Sequence, residues 1–135
     1  MKILIVEDDF TCRKVLQVIL SSYGDCFVAV NGIEAIKAFQ QATVEKEPYD
    51  LICLDIMMPE MDGEQTLEKI RQIETENGIE GLDQVKVVMT TALSDSTHII
   101  RSFKKGCEAY VVKPIRKEKL LEEIEKLGLI NLQTN

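Results

Sequence analysis

The sequence predicts a doubly wound α/β domain in which five β-strands alternate with five α-helices. Three observations support this fold class: short runs rich in valine and isoleucine recur along the chain, amphipathic helical patterns separate them, and several runs end at a polar residue. Near-continuous apolar runs are typical of parallel strands that helices cover on both faces. The 135 residues are sufficient for one such domain with its own core.

Five runs are predicted as the strands. They are KILIV (2–6), CFVAV (26–30), LICL (51–54), VKVVM (85–89) and AYVV (109–112). Strands of four to six residues are of ordinary length for a domain of this size.

The helices are predicted from apolar side chains spaced three and four residues apart. Their stripes are Val15, Leu16, Ile19 and Leu20; Ile33, Ile36 and Phe39; Leu67, Ile70 and Ile73; Ile99, Ile100 and Phe103; and Leu120, Leu121, Ile124 and Leu127. We expect Asn31 to cap the second helix and Ser94 or Asp95 to cap the fourth. Gly106 and Gly128 are the expected helix ends. The predicted domain covers residues 1–128, and residues 129–135 form a short tail.

Composition excludes several classes of function. The net charge of −7 argues against a nucleic-acid partner, which requires a basic surface. The apolar runs are far shorter than the roughly twenty residues of a membrane span, so no membrane partner is expected. No signal-peptide core follows the first residues, and the four cysteines are widely separated, which favours a cytoplasmic protein with reduced thiols.

Polar residues follow four of the strands at the edge where open α/β sheets place their chemistry. Glu7, Asp8 and Asp9 follow the first strand, Asp55 the third, Thr90 and Thr91 the fourth, and Lys113 the fifth. If the strand order is 2-1-3-4-5, Glu7, Asp8 and Asp55 converge, and Lys113 supplies a cation.

This constellation predicts phosphoryl chemistry. Three carboxylates beside one ammonium repel one another unless an acid is protonated or a hard cation such as Mg²⁺ binds. A metal ion and Lys113 flanking Asp55 favour attack of its carboxylate on phosphorus, which gives an aspartyl phosphate. Taken singly, Asp55 could be a helix cap, Thr91 a helix-start residue and Lys113 a solvated lysine. Their coincidence at one edge favours the functional interpretation.

Other polar residues are expected to lie at the surface. His98 lies on the polar flank of the fourth helix, and we predict a surface histidine. The charges of KIR (69–71) and KKG (104–106) are predicted to be solvated.

With these motifs in order, the chain resembles the receiver domain of bacterial two-component response regulators, and in organisation the single-domain chemotaxis type. ILIVEDD, LICLDIMMPEMDG, VVMTTA and YVVKP carry the resemblance over residues 1 to about 128. It implies the flavodoxin-like receiver fold with sheet order 2-1-3-4-5. It also implies phosphoryl transfer from the phosphohistidine of a sensor kinase or phosphotransfer protein to Asp55.

The resemblance implies a metal site as well. Glu7 and Asp8 correspond to the acidic pair, and the main-chain carbonyl of Met57 to a further ligand of Mg²⁺ or Mn²⁺ beside Asp55. Because three acids follow the first strand, Asp9 competes with Asp8 for the ligand role.

The remaining implied roles belong to the phosphoryl contacts and the switch. Lys113 and the hydroxyl of Thr91 would contact phosphoryl oxygens, and Tyr110 would turn inward when Thr91 moves. The Lys113–Pro114 bond is expected in cis. The output surface would consist of the fourth helix, the fifth strand and the fifth helix, and would bind a protein partner that the sequence does not identify.

Three other functions compete with a switch that binds its target directly. The chain could be a phosphorelay intermediate without direct output. An aspartate-nucleophile phosphohydrolase of the haloacid-dehalogenase type would carry a second aspartate where Met57 stands, so we expect no enzyme of that kind. A pseudo-receiver is disfavoured because every chemical position is filled.

Overall fold

The computed structural model describes residues 1–133 and contains five strands and five α-helices within that range. The strands are β1 (Lys2–Val6), β2 (Asp25–Ala29), β3 (Leu51–Leu54), β4 (Lys86–Thr91) and β5 (Ala109–Val112). The helices are α1 (Phe10–Leu20), α2 (Gly32–Val44), α3 (Gly63–Glu76), α4 (Ser96–Lys104) and α5 (Lys117–Lys126). One 3₁₀ turn, Gly81–Asp83, precedes β4.

All strand pairs are parallel, and the order is β2-β1-β3-β4-β5, which confirms the predicted topology. In register, Val6 lies opposite Leu54, and Leu54 lies opposite Met89. The carboxyl ends of β1 and β3 are therefore level, and β4 continues two residues further, to Thr91. The residues that follow β1 and β3 leave the sheet side by side.

Two cores cover the two faces of the sheet. Leu4 and Val6 of β1 point into a core that α2 and α3 complete, whereas Ile3 and Ile5 point into a core that α1 and α5 complete. All four side chains are fully buried. Since both faces are covered, the strands need apolar residues at consecutive positions, which explains the runs in the sequence.

Element boundaries differ from prediction in two strands. β2 begins and ends one residue earlier than expected, and β4 continues beyond Met89 to Thr91. Thr90 and Thr91 extend β4 because they pair with Val111 and Val112 of β5. Threonine is β-branched and is common in strands despite its polar hydroxyl.

The predicted caps are largely as expected. The Asn31 side chain accepts a hydrogen bond from the Glu34 amide at the start of α2. Of the two residues considered for α4, Asp95 is the cap, and its carboxylate accepts from the His98 amide.

The stretch predicted as a tail begins at Leu129. Leu129, Ile130 and Leu132 pack against the core beside α5, and the Leu132 amide donates to Glu125 at 2.8 Å. Residues 134–135 lie outside the described residues. The division of the chain at residue 128 stays a prediction. No helix in residues 1–133 has the length and apolar character needed to cross a membrane.

The prediction that the KIR charges are solvated is wrong for Arg71. Its side chain is 15% exposed, and its guanidinium forms ion pairs at 2.7 Å with both Glu74 and Glu108. It also donates to the carbonyl oxygens of Val85 at 2.9 Å and Gly106 at 2.7 Å. This network joins α3 to the amino ends of β4 and β5, at the edge opposite the polar residues. A pattern of charges along one helix gives no sign of a partner 37 residues away.

Candidate functional site

The carboxylates that follow β1 and β3 form a compact cluster. Glu7, Asp8 and Asp55 each place an oxygen within 4.8 Å of the others. Glu7 is fully buried and Asp55 is 3% exposed, whereas Asp8 is open to solvent. The site therefore has two acids in the floor and one at the rim.

Lys113 is the cation of the cluster. Its ammonium lies 2.6 Å from Glu7 Oε1 and 3.1 Å from Asp55 Oδ2. The main chain holds it there, because the Lys113 amide donates to the Thr91 carbonyl at 2.8 Å. The Lys113–Pro114 bond is cis. The partner of the buried Asp55 carboxylate thus comes from the other end of the sequence.

The electrostatics leave an excess of negative charge. Burial raises the pKa of Glu7 to about 7, and the Asp55 carboxylate adds to the rise, although the bond from Lys113 lowers it. Burial by itself would lower the pKa of Lys113, but the Glu7 and Asp55 carboxylates raise it overall. Lys113 is therefore charged, and one ammonium faces three acids. A hard divalent cation with oxygen ligands fits this donor set and its charge.

Asp9 has a different structural role from Asp8. Its carboxylate accepts from the Cys12 amide at 2.9 Å and caps α1, and this bond is the main reason that the pKa of Asp9 is lowered. The oxygen cluster found within residues 1–133 contains Asp8 and not Asp9. The turn between β1 and α1 is held by Arg13, whose guanidinium donates to the Glu7 carbonyl at 2.9 Å.

The loop after β3 returns directly to Asp55. The Met57 amide donates to Asp55 Oδ1 at 3.3 Å, and the Met57 side chain is 59% exposed. The Gly63 amide donates to the Ile56 carbonyl at 2.8 Å, so α3 begins against the Asp55 main chain. A Cβ atom at Gly63 would lie 2.2 Å from the Asp55 carbonyl oxygen. Glycine is required here for close approach.

Thr91 and Tyr110 both bind one residue of the β4–α4 loop. The Leu93 amide donates to Thr91 Oγ1 at 3.4 Å, and the Tyr110 hydroxyl donates to the Leu93 carbonyl at 2.7 Å. Thr91 is fully buried, and burial raises the pKa of Tyr110 to about 12, so Tyr110 is a neutral donor. The loop is therefore connected to the end of β4 and to β5.

His98 lies near the surface as predicted, but it is half-buried and paired. Its side chain is 28% exposed, and Nδ1 lies 2.9 Å from Glu64 Oε2. Glu64, the second residue of α3, also contacts Arg101 of α4 and Lys105, which caps the end of α4. The solvated character predicted for KKG is therefore wrong for Lys105, whereas Lys104 is exposed. Sequence reasoning missed Glu64. An acid in the first turn of a helix usually serves only the helix dipole, so its position gave no sign of this contact.

The chain matches a known protein family over most of its length. The response regulator receiver domain family matches residues 3–125. The chemotaxis protein CheY of Listeria monocytogenes is 34% identical over 128 residues, which cover 93% of this chain and 97% of that protein. The corresponding CheY of Bacillus subtilis is 33% identical over 127 residues, covering 93% of this chain and 95% of that one.

A solved structure of a chemotaxis protein has the same fold. CheY in the CheX–CheY–BeF₃–Mg complex of Borrelia burgdorferi superposes with a TM-score of 0.81 at 27% identity, covering 95% of this chain and 89% of that one. The matched family extends over nearly all of the described domain, and the acidic cluster stands at the sheet edge. The chain belongs to the response regulator receiver domains, the phosphoacceptor signalling modules of two-component systems.

Proposed function

We propose that Asp55 is the phosphoacceptor and that phosphoryl transfer to it changes the surface formed by α4, β5 and α5. The observation that carries this proposal is the contact of the Asp55 carboxylate with the Lys113 ammonium, inside the cluster with Glu7 and Asp8. The donor is a phosphohistidine on a sensor kinase or phosphotransfer protein.

Mg²⁺ is the proposed metal, with Mn²⁺ as a substitute. Glu7, Asp8, Asp55 and the main-chain carbonyl of Met57 would hold it, since oxygen donors suit a hard cation. The Borrelia burgdorferi CheY named above is in a complex with BeF₃ and Mg, which supports the same metal here. When bound, the ion supplies positive charge beside the transferring phosphoryl group. The placement of Asp9 as helix cap supports Asp8 as the ligand.

The transfer requires little of the protein beyond position and charge. A carboxylate oxygen of Asp55 forms a bond to phosphorus as the phosphorus–nitrogen bond of the donor breaks, and the imidazole leaves with the electron pair. The Lys113 ammonium stabilises a phosphoryl oxygen. Thr91 accepts from Leu93 but retains its own hydroxyl proton, which it can donate to another phosphoryl oxygen.

The same contacts supply a route to the surface. When Thr91 turns to the phosphoryl group, its bond with Leu93 breaks, and the loop that Tyr110 also holds can move. The moving loop leads directly into α4. A partner protein binds the changed surface of α4, β5 and α5. In the Borrelia burgdorferi complex, CheY is bound to a partner protein, CheX. A cytoplasmic location is part of the proposal, on the basis of composition.

Two other functions are less well supported. A phosphohydrolase needs a second acid two residues after the nucleophile, and Met57 has an exposed thioether there. The protein is therefore proposed to be a switch that promotes its own phosphorylation and dephosphorylation rather than a phosphohydrolase. A relay intermediate uses the same site and differs only in passing the phosphoryl group onward without direct output.

Phosphorylation by acetyl phosphate tests the acceptor. With Mg²⁺, wild-type protein should gain one phosphoryl group, detected by intact mass, and Asp55→Asn should gain none. Asp25→Asn is the matched control, because Asp25 is exposed at the amino end of β2 and lies outside the cluster. Labelling that persists in Asp55→Asn would refute the assignment.

Beryllofluoride, which imitates a phosphoryl group, tests the output. If the protein is a switch, adding beryllofluoride should shift the amide resonances of residues 94–116. Shifts confined to the surroundings of Asp55 would contradict a propagated change and support the relay function.

A further inference from the structure

The carboxylate of Glu64 is buried between α3 and α4. Its side chain is 6% exposed and lies 2.5 Å from Arg101 Nε, 2.9 Å from His98 Nδ1 and 3.6 Å from the Lys105 ammonium. His98 and Arg101 lie on α4, and Lys105 is the residue that caps its end. Burial by itself raises the pKa of Glu64, but the bonds from His98 and Arg101 lower it overall, so the carboxylate is ionised. We call this group of four residues the α3–α4 clamp.

Apolar packing contributes little to holding α4. Within this helix only Ser102 is buried, and its hydroxyl has no hydrogen-bond partner among residues 1–133. Ile100 and Phe103 are 54% and 46% exposed. The helix is therefore held to the domain chiefly by the α3–α4 clamp and by its preceding loop.

Glu64 also lies in the turn of α3 that packs beside the phosphoacceptor. It follows Gly63, whose amide donates to the Ile56 carbonyl and where an added Cβ would lie 2.2 Å from the Asp55 carbonyl oxygen. One end of the α3–α4 clamp is thus fixed beside Asp55. The other end lies on α4, which the loop through Leu93 connects to Thr91 and Tyr110.

We propose that Glu64 is a positioning residue which holds α4 in its resting position and opposes the switched conformation. This inference rests on the proposed function, since it concerns the helix that the phosphoryl group is proposed to move. Displacement of α4 would separate Glu64 from His98 and Arg101 and leave a buried carboxylate without its partners. That penalty stabilises the resting state.

Glu64→Gln tests the proposal because it keeps the side-chain shape and removes the charge. The expected results are twofold. Without beryllofluoride, amide resonances of residues 93–105 should move along the line that joins the wild-type free and beryllofluoride-bound positions. The apparent affinity for beryllofluoride with Mg²⁺ should rise by about fivefold or more, since more of the protein already occupies the competent state.

Arg101→Gln approaches the same contact from α4 and should act in the same direction. Arg101 is 45% exposed, so its replacement leaves the core intact. Glu68→Gln is the matched control. Glu68 pairs with Lys105 but is 55% exposed and does not reach His98 or Arg101, so both readouts should stay at the wild-type values.

A purely structural role for Glu64 would lower stability without tightening beryllofluoride binding. Unchanged or weaker binding in Glu64→Gln, with resonances of α4 at their wild-type positions, would overturn the inference. A wild-type protein that shows no beryllofluoride-dependent shifts at all would overturn the proposed function itself, which distinguishes the two failures.

Discussion

The close approach of α3 to the phosphoacceptor predicts a large effect of Gly63→Ala. The added Cβ would lie 2.2 Å from the Asp55 carbonyl oxygen and 2.7 Å from the Ile56 Cα. Ordinary non-bonded contacts lie beyond about 3 Å, so α3 or the Asp55 main chain must move by roughly 1 Å. Both neighbours are main-chain atoms inside the packed domain, and no flexible side chain can absorb the shift.

Overpacking of this kind costs about 1–3 kcal/mol of unfolding free energy. For a domain of this length the melting temperature should fall by roughly 3–15 °C. A displacement of roughly 1 Å at a reacting group can reduce a rate by about 100-fold, so phosphorylation by acetyl phosphate should slow by that order. Urea denaturation and the initial rate of phosphorylation measure the two effects.

Gly78→Ala is the matched control. Gly78 has φ +70°, and a Cβ added there would meet no atom within 4 Å, so alanine is strained without touching the site. It should lose about 1–2 kcal/mol and keep the wild-type phosphorylation rate. A Gly63→Ala protein with wild-type stability and rate would refute the packing argument. Lost stability with an unchanged rate would show that α3, and not Asp55, absorbs the shift.

Three further predictions concern the metal site and the buried network. Asp8→Ala should weaken Mg²⁺ binding more than Asp9→Ala, which should instead lower the unfolding free energy through loss of the α1 cap. The reverse order in Mg²⁺ titrations would move the site by one residue. The pKa of Glu7 is raised to about 7, and metal binding requires the ionised carboxylate. Mg²⁺ affinity should therefore fall as the pH decreases from 8 to 6, by up to about tenfold per pH unit below pH 7. An affinity that does not change with pH would show that Glu7 is ionised throughout this range. Arg71→Met should cost about 3–5 kcal/mol in urea denaturation, because the Glu74 carboxylate is only 1% exposed and would lose its cation; a loss below about 1 kcal/mol would contradict a buried pair.

The outline of the fold was predictable because it depends on local patterns. The runs at Ile3–Val6 and Leu51–Leu54 are apolar at every position, and this marks strands covered on both faces. Helical periodicity separates them, and parallel connection then determines that Asp55 and Lys113 leave the sheet at one edge. The pairing of Asp55 with Lys113, 58 residues apart, was therefore predictable from topology alone.

The rotation of each helix about its axis is decided only by tertiary packing. The sequence shows an acid at position 64 and basic residues at 101 and 105, but not that α3 and α4 turn these faces toward each other. The same holds for Arg71. Its guanidinium donates to the carbonyl oxygens of Val85 and Gly106, which lie side by side only once β4 and β5 are paired.

The direction of the backbone after β1 decided which of two neighbouring aspartates joins the acidic cluster. Asp8 and Asp9 are both aspartates, and the resemblance favoured Asp8 as the ligand without excluding Asp9. The start of α1 directs the Asp9 carboxylate onto the Cys12 amide and leaves Asp8 beside Glu7 and Asp55. The sequence by itself determined which elements form and which edge carries the chemistry, because those depend on periodicity and chain order. The partners of each charged side chain depend on distances of a few ångströms between elements, and only the packed structure sets those distances.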